Sequence, residues 1–193
     1  VKYLKMFNSV PDVQNKSYIS IPIKDRPQLF LLCGSGSDGH VLNSVEVEML
    51  SVYVSNTGNL YLEGEAYFDK NENLSLNQHL GFSYSDTPLL DYSTLKGLSF
   101  AGQNLGFIET DLMSPKDYSL VPNSRSRTLL STSNVANQPV SFSLINKGCT
   151  GIGSLVELGD LREQKKGDML NYLTGIFGLM GIDTTGFVAS FYT

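Results

Sequence analysis

The sequence predicts a mainly β fold: an antiparallel β-sandwich or jelly-roll-like head with one short helix near the C-terminus. Short apolar segments recur along the chain, and Gly, Asn, Asp and Pro separate them. The 193 residues include 18 Gly, 10 Tyr and 10 Phe but no Trp, so turn residues and strand-forming aromatics are plentiful. We expect residues 1–193 to form a single globular domain, and because the first residue is not Met, we expect a longer or processed natural chain.

The predicted strands lie between residue 18 and about residue 158. They are the segments 18–23, 28–33, 45–54, 59–68, 80–84, 105–109, 127–131, 139–145 and 152–158. Strands this short, at this spacing, are typical of sandwiches, jelly rolls and barrels. Between them, segments 86–103 and 114–123 are predicted to be long surface connections, which often carry binding residues in β folds.

Residues 45–68 predict a β-hairpin. Residues 45–49 (VEVEM) alternate apolar with acidic side chains, and residues 55–59 (SNTGN) contain the glycine of a short loop. The apolar and aromatic side chains of 60–68 then return as the second strand. We therefore expect an antiparallel pair here.

The C-terminal region has a different pattern. Large apolar residues recur at helical spacing from Met169 to Met180, after Asp168 as a candidate N-cap, although Gly175 and Gly178 weaken a helix. One short helix is predicted, followed by a closing strand over 186–192.

The mixture of large apolar and small residues in 169–192 also predicts an interface between chains. We expect a homo-oligomer, in the first instance a trimer, that this region helps to hold together. The alternative is that the same residues complete the core of the monomer.

The net charge of −5 argues against a dedicated nucleic-acid binder. Two short basic clusters do not change this, and we expect both to be solvated loops: Arg125 with Arg127, and Arg162 with Lys165 and Lys166. No apolar run approaches the ~20 residues of a membrane-spanning helix, so no membrane span is predicted.

The two cysteines, Cys33 and Cys149, are far apart in the sequence and either pair or remain separate. We favour a buried thiol at Cys33 and an unrelated loop thiol at Cys149.

Residues 34–39 (GSGSDG) match G-x-G-x-x-G directly after an apolar segment, where a dinucleotide-binding turn would lie. Residues 40–54 alternate like a strand, however, so we expect a flexible turn and no bound nucleotide. A nucleophilic role for Ser35 or Ser37 needs a histidine base, and only His40 and His79 are present.

Metal and hydrolase sites are not indicated either. Residues 69–73 (DKNEN) place oxygen side chains at alternate positions but fail the EF-hand pattern, and the histidines and Asp38 lack the spacing of metal ligands. A glycan hydrolase needs paired carboxylates, and the sequence alone does not pair Glu46, Glu48, Glu63, Glu65, Asp69 or Glu109. We expect no enzyme, cofactor or metal, and the ligand-binding residues stay unassigned.

Part of the chain resembles head domains of viral and phage tail fibres. The matching pieces are Pro22, Arg26-Pro27, the hairpin-like 52–62, and 138–144 (QPVSFSL), which is similar to a late strand of adenovirus fibre knobs. The resemblance implies a non-enzymatic attachment head on the virion surface or outside the cell. Such a head would recognise a host-surface receptor, either a glycan or a protein. The alternative is a structural capsid protein with a jelly-roll fold.

Overall fold

The computed structural model describes residues 27–34, 40–56, 58–68, 74–89, 91, 93–97, 104–110, 116–134, 136–146 and 148–184. Within them the fold is mainly β, as predicted, with 40% strand against 26% helix. The predicted strands 18–23 and 186–192 and the segment 69–73 lie outside the described residues.

Helices and strands alternate at the start of the described chain, and strands dominate afterwards. The elements are β1 Gln28–Leu32, α1 Ser44–Asn56, β2 Asn59–Glu63, α2 Glu65–Phe68, α3 Leu74–Leu80, β3 Phe82–Ser85, β4 Thr94–Gly97, β5 Leu105–Glu109, β6 Ser119–Pro122, β7 Arg127–Thr132, β8 Pro139–Asn146, β9 Cys149–Ser154, β10 Leu161–Glu163 and α4 Asp168–Leu179.

Eight described strands form one mixed sheet in the order β1-β2-β9-β8-β7-β4-β5-β10, and β3 pairs with β6 in a second, two-stranded sheet. Strands β1, β2 and β9 run parallel to one another, whereas the rest of the large sheet is antiparallel. Helix α1 connects the parallel strands β1 and β2, which makes a βαβ unit. An antiparallel sandwich or jelly roll is therefore not confirmed.

Several strands agree with the sequence. Segments 28–33, 105–109, 127–131 and 139–145 correspond to β1, β5, β7 and β8, and the other agreements are partial. The two predicted surface connections each contain a short strand, β4 in 86–103 and β6 in 114–123.

The predicted hairpin over 45–68 is wrong, because Ser44–Asn56 is a helix and β2 pairs with β1 in parallel. The hairpin part of the tail-fibre resemblance, 52–62, is wrong for the same reason. The Asn43 side-chain oxygen accepts the N–H groups of Val45 and Glu46 at 3.0 Å, and the Glu46 carboxylate accepts the Asn43 N–H at 2.9 Å. This reciprocal capping starts the helix.

The two faces of the large sheet are covered by different helices. A Cβ atom at Gly151 in β9 would collide with the backbone carbonyl oxygen of His79 in α3, so that face lies directly against α3. On the opposite face, the Thr150 hydroxyl donates to the Leu179 carbonyl of α4 at 2.8 Å. Helix α1 lies beside α3, with Ser51 Oγ 3.2 Å from Ser75 Oγ. The sheet therefore lies between α1 and α3 on one side and α4 on the other.

Helix α4 confirms the predicted short C-terminal helix, but its N-cap differs. Gly167, with φ of 97°, is the N-cap, and the Asp168 carboxylate instead accepts the N–H groups of Gly106 and Lys165. The apolar face of α4 is buried against its own sheet, including Tyr172, Ile176 and Phe177. These side chains belong to the core of the monomer, and the oligomeric state stays a prediction.

Both cysteines are free and buried. Cys33 follows β1 as a buried thiol, as expected. Cys149 begins β9, so the prediction of a loop thiol is wrong.

Candidate functional site

The carboxyl ends of the parallel strands form the first candidate site, since ligands bind at this edge in open α/β sheets. Cys33 follows β1, and Glu63 and Ser154 end β2 and β9. Gly34 and Gly64 bring the two neighbouring backbones into direct contact, because a Cβ atom on Gly64 would lie 2.5 Å from the Gly34 nitrogen. Backbone therefore fills the space between the ends of β1 and β2 at Gly64.

The thiol of Cys33 is unsuited to nucleophilic chemistry. Burial, together with the nearby carboxylates of Glu46, Glu63 and Glu157, raises the pKa of Cys33 to about 12. Since the thiolate is the nucleophile, a thiol that stays protonated at neutral pH is inert.

The carboxyl group of Glu63 is buried and accepts two hydrogen bonds. Its Oε2 atom accepts the Tyr61 hydroxyl at 2.6 Å and the Leu158 N–H at 2.9 Å. Burial raises the pKa of Glu63 to about 7, with Glu157 and Asp160 acting in the same direction and the two hydrogen bonds opposing it. This carboxyl group connects β2 to the turn that follows β9.

His40 and Glu46 form a pair beside Cys33. The Nε2 atom of His40 lies 3.0 Å from both carboxylate oxygens of Glu46, and the His40 N–H donates to the Cys33 carbonyl. Within the described ranges, no three His, Cys, Asp or Glu residues are arranged to hold a metal ion. The pair fixes the start of α1 relative to the end of β1.

The glycine-rich segment 34–39 is followed by helix α1, so the strand-like continuation predicted for residues 40–54 is wrong. Only Gly34 of that motif is described. The N-terminal N–H groups of α1 are taken by Asn43, and the Glu46 carboxylate places a negative charge there. Asn43 and Glu46 therefore cap this helix end, and the expectation of no bound nucleotide stays a prediction.

A groove of about 350 Å³ between α1 and α3 is the second candidate site. Four serine hydroxyls, one carboxylate, one amide and two aliphatic side chains line it: Ser44, Ser51, Ser55, Ser75, Glu48, Asn56, Val47 and Val52. The sequence analysis missed it because the lining residues other than Ser75 lie on one face of α1, and most of that segment was predicted as a strand. We call it the α1–α3 groove.

Hydrogen bonds inside the α1–α3 groove show what its serines can do. Ser51 Oγ lies 3.2 Å from Ser75 Oγ, while Ser55 Oγ donates to the Ser51 carbonyl at 2.6 Å and lies 3.0 Å from His79 Nε2. Since the single Ser55 proton is used by that carbonyl, His79 Nε2 is the donor in this contact. His79 therefore does not activate Ser55 as a nucleophile.

The remaining predicted carboxylates are dispersed. Glu65 forms an ion pair with Lys116, Glu109 is buried at the end of β5, and Asp69 lies outside the described residues. The structure brings Glu46 and Glu63 together near Cys33 and places Glu48 in the α1–α3 groove.

The basic clusters are exposed, but they are not only loops. Arg127 begins β7 and Arg162 lies in β10, whereas Arg125, Lys165 and Lys166 lie in turns. No helix in the described part of the chain is long and apolar enough to span a membrane.

Fold and candidate sites together define a mainly β domain with a mixed sheet and one helix-connected parallel edge. No protein-family model and no curated protein matches the chain. Solved structures that match the chain include the mmIFT52 N-terminal domain, with TM-score 0.48 and 17% identity over 82% of this chain and 78% of that one.

Two glycoside hydrolases are also similar in structure. A catalytic mutant of Gan42B, a GH42 beta-galactosidase from G. stearothermophilus, gives TM-score 0.44 and 12% identity over 82% of this chain. The exo-beta-1,4-mannosidase Op5Man5 from Opitutaceae bacterium strain TAV5 gives TM-score 0.46 and 10% identity over 72%. This chain covers only 22% and 24% of those proteins. Neither likeness bears on catalysis.

Proposed function

We propose that the chain is a non-enzymatic recognition domain, of the attachment type that its sequence predicts, and that it binds a host-surface glycan in the α1–α3 groove. The observation that carries the proposal is the groove lining, which combines hydroxyl groups, one carboxylate and a small aliphatic surface. Hydroxyl groups both donate and accept hydrogen bonds, as sugar hydroxyls do.

Each part of the lining has a role in such a complex. The Ser51 and Ser75 hydroxyls offer paired donors and acceptors across the groove, and the Glu48 carboxylate accepts from sugar hydroxyls. Val52, 53% exposed, offers the apolar surface on which the C–H face of a sugar ring packs.

The non-enzymatic part of the proposal is supported by the state of the reactive groups. The Cys33 thiol is buried and protonated, and the Ser55 proton is held by a backbone carbonyl. Glu63 is engaged by Tyr61 and the Leu158 N–H. Ser55 and Glu63 therefore have structural partners that compete with a catalytic role, and the Cys33 thiol is buried in its unreactive form.

The test is a glycan-array screen of the whole chain, followed by affinity measurements on Ser51→Tyr, which fills the groove. We expect Ser51→Tyr to weaken glycan binding at least about tenfold, since burying the ring displaces the ligand. Ser124→Tyr is the matched control, because Ser124 is exposed in a turn and does not line the groove. Unchanged binding by Ser51→Tyr would exclude the groove, and a wild-type chain that binds no glycan would exclude the function.

The virion location and the trimer remain predictions from the sequence resemblance. The capsid alternative is separated by the mass in solution: discrete trimers support an attachment head, shell-like assemblies support a capsid protein, and monomers contradict both.

A further inference from the structure

The turn between β9 and β10 is attached to β2 by one buried carboxyl group. Glu63 ends β2, is 4% exposed, and its Oε2 atom accepts the backbone N–H of Leu158 from that turn. The Tyr61 hydroxyl donates to the same oxygen from within β2. Opening the turn would break the Leu158 bond and bring water to the carboxyl group.

Ionisable groups on four parts of the fold interact electrostatically with the Glu63 carboxyl group. They are Tyr61 in β2, Cys33 after β1, Glu157 and Asp160 in the turn, and Tyr172 in α4. Burial raises the pKa of both tyrosines and of Cys33, so these three stay neutral at neutral pH. Glu157 and Asp160 both raise the pKa of Glu63, so ionised Glu63 would lie beside two acidic residues of the turn.

We propose that Glu63 is a pH-sensitive clasp, whose neutral form holds the β9–β10 turn closed and whose ionisation favours opening. The direction follows from proton linkage. With the turn closed, burial keeps the pKa of Glu63 at about 7, whereas a water-exposed carboxyl group in the open turn has the ordinary value of 4.5. Opening therefore releases a proton and becomes easier as the pH rises from 4.5 to about 7, with no further change above.

The segment that would respond extends beyond Leu158. The Thr110 N–H and hydroxyl both donate to the Asp160 carbonyl, which attaches the end of the turn to the residue after β5. Strand β10 follows directly at Leu161. We therefore expect opening to stop at Asp160 and to leave the pairing of β10 with β5 intact.

The test is amide hydrogen exchange at Leu158 in the whole chain from pH 4.5 to 8.5, corrected for the intrinsic rate at each pH. Protection should fall by up to about 10²-fold between pH 4.5 and 7 and then level off. In Glu63→Gln the neutral amide oxygen still accepts from Tyr61 and Leu158, so protection should not vary with pH. The matched control Glu48→Gln, in the α1–α3 groove, should keep the wild-type profile.

Two results would overturn the clasp: flat protection in the wild type, or the same pH dependence in Glu63→Gln. If Glu63→Gln does not fold, carbon NMR titration of the wild-type Glu63 carboxyl group decides instead. A midpoint near pH 7 that coincides with the end of the protection loss supports the proposal, and a midpoint near 4.5 overturns it. Glycan binding plays no part in these measurements, so they are independent of the proposed function.

Discussion

At Gly64 two constraints meet at one residue. Its φ of +118° lies in the left-handed half of backbone space, which side chains disfavour, and the Gly34 backbone occupies the position of a Cβ atom. Gly148 shares the first constraint but not the second, since its φ is +84° and no atom lies within 4 Å of its Cβ position. Comparing substitutions at Gly64 and Gly148 therefore separates the cost of backbone strain from the cost of steric overlap.

We expect Gly64→Ala to lower the free energy of unfolding by more than about 3 kcal/mol, because β1 and β2 would have to move apart. Gly148→Ala should lower it by only about 1–2 kcal/mol, the cost of the backbone conformation alone. Urea denaturation of both variants measures the difference. Equal losses would show that the β1 and β2 ends separate without cost.

At the scale of elements, helix α1 shows why the strand predicted at 45–54 was wrong. Residues 45–49 alternate apolar with acidic side chains, which favours a strand, and valine itself prefers strands. The buried residues instead follow a helical face: Glu46, Val47, Leu50, Tyr53 and Val54. Asn43 followed three residues later by Glu46 is a helix-start pattern that the sequence does contain.

Alanine substitutions at Leu50 and Val52 compare the buried face of α1 with its exposed face. Leu50 is fully buried and Val52 is 53% exposed. Leu50→Ala should lower the free energy of unfolding by about 2–5 kcal/mol through the cavity it leaves, and Val52→Ala should change it by less than about 0.5 kcal/mol. Chemical denaturation checks both values. A strand at 45–54 would put Leu50 and Val52 on one face, with similar losses.

The strands predicted best are β1, β5, β7 and β8, of which the last three belong to the antiparallel part of the sheet. Their apolar runs are bounded by turn residues, and these boundaries are local in sequence. The parallel edge depends on segments far apart in the sequence, such as β2 and β9. No periodicity within one segment contains that information.

At the scale of the whole molecule, α4 holds the two ends of the sheet together. The Phe177 ring packs on Phe30 of β1 with centroids 5.6 Å apart, and the Tyr172 ring packs on Phe107 of β5 at 5.4 Å. Strands β1 and β5 are separated by five others in the sheet order. One short helix therefore contacts both the parallel and the antiparallel parts.

Phe177→Asp should unfold the chain, because Phe177 is 1% exposed and an unpaired carboxylate would be buried in the core. Gly178→Asp is the control: Gly178 is exposed on the same helix, and no atom lies within 4 Å of its Cβ position. Circular dichroism and light scattering measure folding and mass. Folded monomers of Phe177→Asp, obtained from an oligomeric wild type, would instead support the interface between chains.

Asn59 shows how late in synthesis the parallel edge can be completed. Its side chain accepts the Thr150 N–H at 2.7 Å and donates to the Met180 carbonyl at 2.9 Å, contacts that span 91 and 121 residues of sequence. The β7, β8 and β9 meander needs only neighbouring segments and can form first. A nascent chain therefore exposes the unpaired edge of β2 on the ribosome until β9 emerges. During this interval the exposed strand edge is open to aggregation and to chaperone binding.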